Sequence, residues 1–356
     1  MHSPPPSLLL CCAAALLCIP TALPAQDVPA FRIEAGKGFE AKDTLHCGPE
    51  AAADAAACLD GLKWSCGTFP VQTEKAELGR GDLLVRFPSP VPSGDAVNDR
   101  VAMEWYAVRN GRGEMKKAPA LVIVHESGRG MIAGRLFARG LHLCGFHTFL
   151  VHLPGYGART CGLTDDIKRI FPALRQSVAD VRRARDAVAA LPCVDASLVG
   201  LQGTSLGGFV VATVSGLDRG YQKAFILLAG GQLSDVLLKG QKDAAEMRRR
   251  LTEAGVSEEQ ICALSRGVEP LRLAHRVDAA GTWLFSGRFD EVVPPPCSQA
   301  FAQAARLDTT HHLVLPAGHY TAAVFMPAVL QQISDHMLGR PPKLQIVPPA
   351  TAPANP

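Results

Sequence analysis

The chain has 356 residues, 47% of them hydrophobic, and its 36 Lys and Arg against 33 Asp and Glu leave a formal charge of +3. The basic excess is scattered along the chain, which gives no electrostatic ground for a nucleic-acid partner. The length suits one large α/β domain with decorations, or two modest ones.

Residues 1–25 hold no Lys, Arg, Asp or Glu and contain the unbroken apolar run Leu8–Ile19. That run is too short to cross a bilayer. With Pro20 and "TALPA" behind it, it has the dimensions of a secretory signal cleaved after about Ala25. The leading "MHSPPPS" lacks the usual Lys or Arg, so His2 and the terminal amine are its only positive groups, and a disordered leader is the bland alternative. No second long apolar run follows, and the mature chain is expected to be exported, periplasmic or extracellular, without a membrane span.

Residues 26–81 show weak periodicity and read as an irregular segment holding Cys47, Cys58 and Cys66. The even number of cysteines left after a signal permits disulfides in an exported protein, and at least one local bridge is expected among these three. Cys144 and Cys193 read as buried thiols. No cysteine pair has CxxC spacing and no histidine stands at a metal-finger interval, so no zinc site is expected.

From Asp82 the pattern becomes regular. "DLLVRFPSP" and "VAMEWYAVR" read as an antiparallel pair of strands. Six apolar runs follow, "ALVIVHES", "HTFLVHLPGYG", "SLVGLQGTS", "KAFILLAGG", "GTWLFSGRFD" and "HHLVLPAGH", alternating with segments of helical period. Strand and helix in alternation imply an α/β fold, a mostly parallel sheet with helices on both faces. The clearest helix starts at Pro172, carries Leu174, Val178, Val181, Ala184, Val188 and Leu191 on one face, and stops at Pro192. Arg182, Arg183 and Arg185 fall on its outer face. Residues 232–280, after the sixth strand, form a small helical insertion that reads equally as a lid or as surface helices. The domain ends near residue 340, and 341–356 is a Pro-rich tail expected to be disordered.

"LVGLQGTSLGGF", Leu198–Phe209, places a serine between glycines at the end of a buried strand. A serine hydroxyl is a poor nucleophile unless a base takes its proton, and it must project where a carbonyl can reach it. A sharp strand-to-helix turn provides that exposure. In such a turn side chains two positions from the serine collide, so Gly203 and Gly207 meet a steric demand and Gly208 lets the helix approach the sheet. Composition alone yields such a motif about 0.14 times per chain, so the strand before it and the helix pattern after it carry the reading.

Over about Asp82 to Arg340 the chain resembles the α/β-hydrolase family, in its dienelactone-hydrolase-like and esterase-like branches. The resemblance implies the α/β-hydrolase fold and a nucleophile, an acid and a histidine in that chain order at the ends of successive strands. Ser205 is then the nucleophile, Asp290 in "RFDEVVPP" the acid, and His319 after "HLVLPAG" the base. Glu291, adjacent to Asp290, stands outside the family's acid position. Asp308 precedes the last strand, and His311 and His312 enter it. One oxyanion donor is implied at the N–H of Leu206. The second is implied in the loop after "ALVIV", where relatives carry His-Gly. Here "HESGRG" has Glu126 after His125, leaving Glu126 or Ser127 as the donor. Relatives also border the site with a loop like "LPGYGART", whose Tyr156 and Arg159 read as solvated.

Dienelactone hydrolases use a cysteine nucleophile, so the serine favours an oxygen ester. The leading reading is a secreted serine hydrolase that cleaves a small-molecule carboxylic ester without metal or organic cofactor. A serine peptidase of the prolyl-oligopeptidase type is the alternative, although the segment before Asp82 is too short for the β-propeller such relatives carry. A non-catalytic binding protein on a hydrolase scaffold is the third; loss of a triad member would favour it, and none is lost.

Overall fold

The computed structural model describes residues 29–162 and 166–342. The leader expected at 1–25, and the tail from residue 343, lie outside the described residues. The chain runs through β1 (Ala30–Phe31), β2 (Gly38–Lys42), α1 (Ala53–Leu62), β3 (Thr68–Lys75), β4 (Leu83–Pro88), β5 (Arg100–Tyr106) and β6 (Met115–Lys116) into a regular alternation. There follow β7 (Ala118–Val124), α2 (Ile132–Leu143), β8 (His147–His152), α3 (Ile170–Ala189), β9 (Val194–Thr204), α4 (Leu206–Ser215) and β10 (Lys223–Leu227). The last part comprises α5 (Leu233–Lys239), α6 (Asp243–Glu253), α7 (Glu258–Ser265), β11 (Thr282–Gly287), α8 (Pro295–Ala304), β12 (His312–Leu315) and α9 (Met326–Met337).

Among the described residues, ten strands form one sheet in the order β12-β11-β10-β9-β7-β8-β5-β4-β3-β2. The strands from β12 to β8 are parallel, and β5, β4, β3 and β2 continue antiparallel. β7 shows why its sequence is an unbroken apolar run. Val122 and Val124 join the core formed with α3 and α4, while Leu121 and Ile123 join the core formed with α2 and α9. A central parallel strand has no solvent face, so alternation disappears.

The structure differs from the sequence reading in the first part of the chain, along α3 and at the cysteines. The segment 26–81, read as irregular, contains β2, α1 and β3, and lengthens the sheet at its antiparallel edge. Its signal was weak because only Phe69, Val71 and Thr73 of β3 alternate inward, and Pro70 interrupts them. Pro70 is tolerated because it faces Glu40 of β2 at a level where β4 is not paired.

Secondly, the arginines of α3 are not on an open face. Arg182 and Arg183 are buried. Arg182 pairs with Asp186 at 3.0 Å and Asp218 at 2.7 Å, and Arg183 pairs with Asp43 at 2.5 Å. Thr44 donates to Asp186 through both its N–H (2.8 Å) and its hydroxyl (2.6 Å). The N-terminal segment therefore covers α3 and satisfies the charges that this covering removes from water. Thirdly, Cys47, Cys58 and Cys66 stand as free thiols, without the local bridge expected among them, and of the two thiols expected to be buried Cys193 is buried while Cys144 is exposed.

The insertion is packed down. Leu233, Val236 and Leu237 of α5, Ala244 and Leu251 of α6 and Ile261 of α7 all belong to the core shared with α3 and α4. No helix of the described residues is long and apolar enough to cross a membrane.

Candidate active site

β9 ends at Thr204, α4 begins at Leu206, and Ser205 between them has φ 54° and ψ −116°. A side chain held at positive φ costs on the order of 1–3 kcal/mol. The neighbouring glycines show how tightly the turn is closed. A Cβ on Gly203 would stand 2.3 Å from the Gly207 carbonyl oxygen, and one on Gly207 would stand 2.3 Å from the Val124 carbonyl oxygen. A Cβ on Gly208 would reach 2.6 Å from that of Ala229. The sequence pattern is thus a packing requirement: the backbone of α4 rests directly on the ends of β7 and β10.

The parallel register brings the ends of β9, β11 and β12 to one rim, where the structure places Ser205, Asp290 and His319 together. Nδ1 of His319 lies 2.8 Å from Oδ2 of Asp290, and Nε2 lies 3.0 Å from Oγ of Ser205. Both members of the Asp290–His319 pair are almost shut off from water, with side-chain exposures of 2% and 6%. Asp290 is itself anchored, because the N–H groups of Val292 and Val293 each donate to its Oδ1 at 2.9 Å. That leaves Oδ2 to accept Nδ1–H, so the lone pair of Nε2 faces the hydroxyl. The two backbone donors were not among the residues read from sequence, although an Asp followed by a tight turn is their usual signature.

The rival groups are engaged elsewhere. Glu291 pairs with Lys242 at 2.9 Å on the surface. Asp308 accepts from Thr310 and His311, and this holds its carboxyl well below the usual range, hydrogen bonds from Thr310 being the largest cause. Nε2 of His312 lies 2.8 Å from the Ser286 hydroxyl.

The strand-end loop 125–130 faces the start of α4, because a Cβ on Gly207 would also come within 2.6 Å of the His125 carbonyl oxygen. His125 is fully buried, and burial pushes its pKa down to about 3. The neutral ring accepts from the Leu153 N–H at Nε2 (3.2 Å) and has Nδ1 2.6 Å from the Glu126 carbonyl oxygen. The Glu126 carboxylate turns away and accepts from the N–H groups of Ala133 (3.1 Å) and Gly134 (3.0 Å), in the first turn of α2. Tyr156 donates its hydroxyl to the Ser127 carbonyl at 2.9 Å and packs its ring 4.5 Å from that of His125. Glu126 and Ser127 therefore sit in a loop pinned on both sides. Leu206, as the first residue of α4, has an N–H with no acceptor inside its own helix.

Tyr156 and Arg159 are not the solvated residues expected. Arg159 is fully buried and pairs with Asp180 at 2.8 Å, while its Nε donates to the Asn98 carbonyl at 2.7 Å. Its Nη1 also donates to the His152 carbonyl at the end of β8, 3.0 Å, so the buried cation ties the loop Leu153–Thr160 back to the strand it follows. Among the described residues, no group of three or more His, Cys, Asp and Glu could hold a metal ion.

No family model matches the chain. Over 192 residues it is 28% identical to an uncharacterized protein of Mycobacterium tuberculosis strain H37Rv, a stretch covering 50% of this chain and 44% of that protein. The chain thus spans less than half the length of that relative. Among solved structures it is similar to acetyl xylan esterase 1 from Thermoanaerobacterium sp. JW/SL YS485, with a TM-score of 0.54 and 17% identity over 82% of this chain and 96% of that one. The acetyl xylan esterase from Paenibacillus sp. R4 gives 0.53 and 16% over 81% and 95%. The 2,6-dihydroxy-pseudo-oxynicotine hydrolase gives 0.51 and 13% over 72% and 70%. The chain has the α/β-hydrolase fold.

Proposed function

We propose that this chain is an exported serine hydrolase that cleaves a small-molecule carboxylic ester. The observation that carries the reading is the continuous contact from Asp290 through His319 to Ser205, 2.8 Å and then 3.0 Å, beside a helix N-terminus and a pinned loop. His319 takes the proton as the Ser205 oxygen attacks the ester carbonyl carbon, and Asp290 stabilises the imidazolium that results. The charge on the former carbonyl oxygen is met by the N–H of Leu206 together with that of Glu126 or Ser127, donors worth on the order of 3 kcal/mol each in comparable sites. His319 returns the proton to the leaving alcohol. Water, activated by the same imidazole, then attacks the acyl-enzyme and releases the acid.

No step in this sequence calls on a metal or an organic cofactor. The likeness to two acetyl xylan esterases supports short-chain acyl esters as the first substrates to assay. Export rests on the leader Leu8–Ile19 and the small residues that follow it. The test is covalent labelling. A fluorophosphonate probe is expected to modify the purified protein and to leave Ser205→Ala unmodified, with turnover of p-nitrophenyl acetate exceeding that of peptide anilides. A folded wild-type protein that takes no label would overturn the hydrolase reading in favour of a binding scaffold.

A further inference from the structure

Ser205 is not alone in its strained backbone. Lys242, immediately before α6, has φ 53° and ψ −117°, nearly the same conformation, and it is neither glycine nor part of the strand-end turn. Strain of this kind persists only where the surroundings over-determine it, and here they can be named. The N–H of Gln241 donates to the Glu291 carbonyl at 2.7 Å, and a Cβ on Gly240 would stand 2.4 Å from the Val292 carbonyl oxygen. The corner of the insertion at 240–242 is thus pressed against the loop that carries Asp290.

From that corner the Lys242 ammonium reaches in two directions. It pairs with Glu291, the residue after Asp290, at 2.9 Å, and lies 5.5 Å from the ring centroid of Tyr320, the residue after His319. The Tyr320 ring meets the His319 imidazole edge-on at 5.5 Å. Its hydroxyl is pushed up to about 12, first by partial burial and then by hydrogen bonding to the neighbouring Asp243 carboxylate, so it stays protonated. The two loops are also in direct contact, since a Cβ on Gly318 would lie 3.0 Å from the Phe289 carbonyl oxygen. One cation on the insertion therefore touches both neighbours of the proposed acid and base.

We propose that Lys242 is a positioning residue, and that the insertion 232–280 acts through it as a brace that holds the Asp290 loop and the His319 loop at their hydrogen-bonding separation. The inference rests on the hydrolase reading above and adds a role for the insertion. An exposed ion pair contributes little to global stability, so the effect belongs to the chemical step and not to folding. Small displacements of a catalytic group lower rates steeply.

The experiment compares Lys242→Met, Lys242→Arg and Glu291→Gln with wild type, by steady-state hydrolysis of p-nitrophenyl acetate, fluorophosphonate labelling rate and thermal unfolding. Lys242→Met is expected to lower kcat about tenfold with KM and melting temperature little changed, and Lys242→Arg to recover most of that loss. Glu291→Gln is expected to lower kcat in the same sense, and the double variant Lys242→Met/Glu291→Gln to lose less than the product of the two single losses. A reactive wild type with Lys242→Met at wild-type kcat would overturn the brace and leave the hydrolase intact. So would an equal loss in Lys242→Met and Lys242→Arg, or a loss that follows the melting temperature. A wild type that neither labels nor hydrolyses would overturn both.

Discussion

Replacing Asp290 by Asn tests the proposed chemistry through one atom. The amide retains a single acceptor oxygen, and the N–H groups of Val292 and Val293, both 2.9 Å from Oδ1, claim it. The reverse orientation would set an NH2 against two N–H donors, leaving three donors unpaired in a buried place. The NH2 of the new side chain must then face Nδ1 of His319 across the 2.8 Å contact. His319 has to present a lone pair there and carry its proton on Nε2, where it can no longer accept from Ser205. The ring stays in place in the wrong tautomer. A loss of about 10⁴-fold in kcat is expected, or about 5 kcal/mol of barrier. Side-chain volume and the two backbone bonds are kept, so the melting temperature is expected to move by no more than about 2 °C. The assay pairs kcat on p-nitrophenyl acetate with a thermal melt of the same sample. A folded Asp290→Asn variant with at least about a tenth of wild-type kcat would refute the assignment of Asp290 as the group that sets the tautomer.

Three further outcomes follow from separate parts of the molecule. Gly207→Ala should destabilise the fold by about 2 kcal/mol in urea unfolding, because its Cβ would strike two backbone carbonyls that cannot move independently, and should depress activity more than stability. Glu126→Ala removes the acceptor for Ala133 and Gly134 at the start of α2 and should cost about 1 kcal/mol, together with a fall in kcat as the loop loosens. The third concerns acid stability. Burial opposes ionisation of Glu104, but hydrogen bonds from His152 and Arg135 outweigh it and hold the carboxyl at about 2, below its ordinary 4.5. The folded value lies below the unfolded one, so this stabilisation is present above about pH 4.5 and is lost as the pH falls towards 2. Glu104→Gln should therefore cost on the order of 3 kcal/mol at pH 7, with the difference from wild type closing over that acid window in denaturant titrations. His125, held near 3 by burial, adds to the same acid weakness, because the unfolded ring takes up a proton first.

The parallel part of the sheet was legible because each central strand is covered on both faces, and its apolar run needs no tertiary information to be seen. All eight strands expected from Asp82 onward are present, from β4 and β5 to β12. The proximity of Ser205, Asp290 and His319 was legible for a related reason: parallel strands deliver their ends to one rim, so residues just past those ends are neighbours in space whatever their separation in the chain. Glycine at 203, 207 and 208 marked the turn because no larger residue fits there.

What local pattern could not show depends on partners distant in sequence. Arg182 and Arg183 read as outer-face residues until Asp43, Thr44 and Asp218 are laid over α3. Arg159 read as a loop cation until Asp180 and the Asn98 carbonyl close around it. The edge strands β2 and β3 carry too few inward apolar residues to be seen before the sheet accepts them. By itself the sequence determined the fold class and the residues to suspect at the site, since burial and steric exclusion act through nearest neighbours in the chain. Only the tertiary structure decided which charges are paired, which face of α3 is covered and how the insertion meets the Asp290 and His319 loops, since those energies depend on the approach of groups up to 142 residues apart.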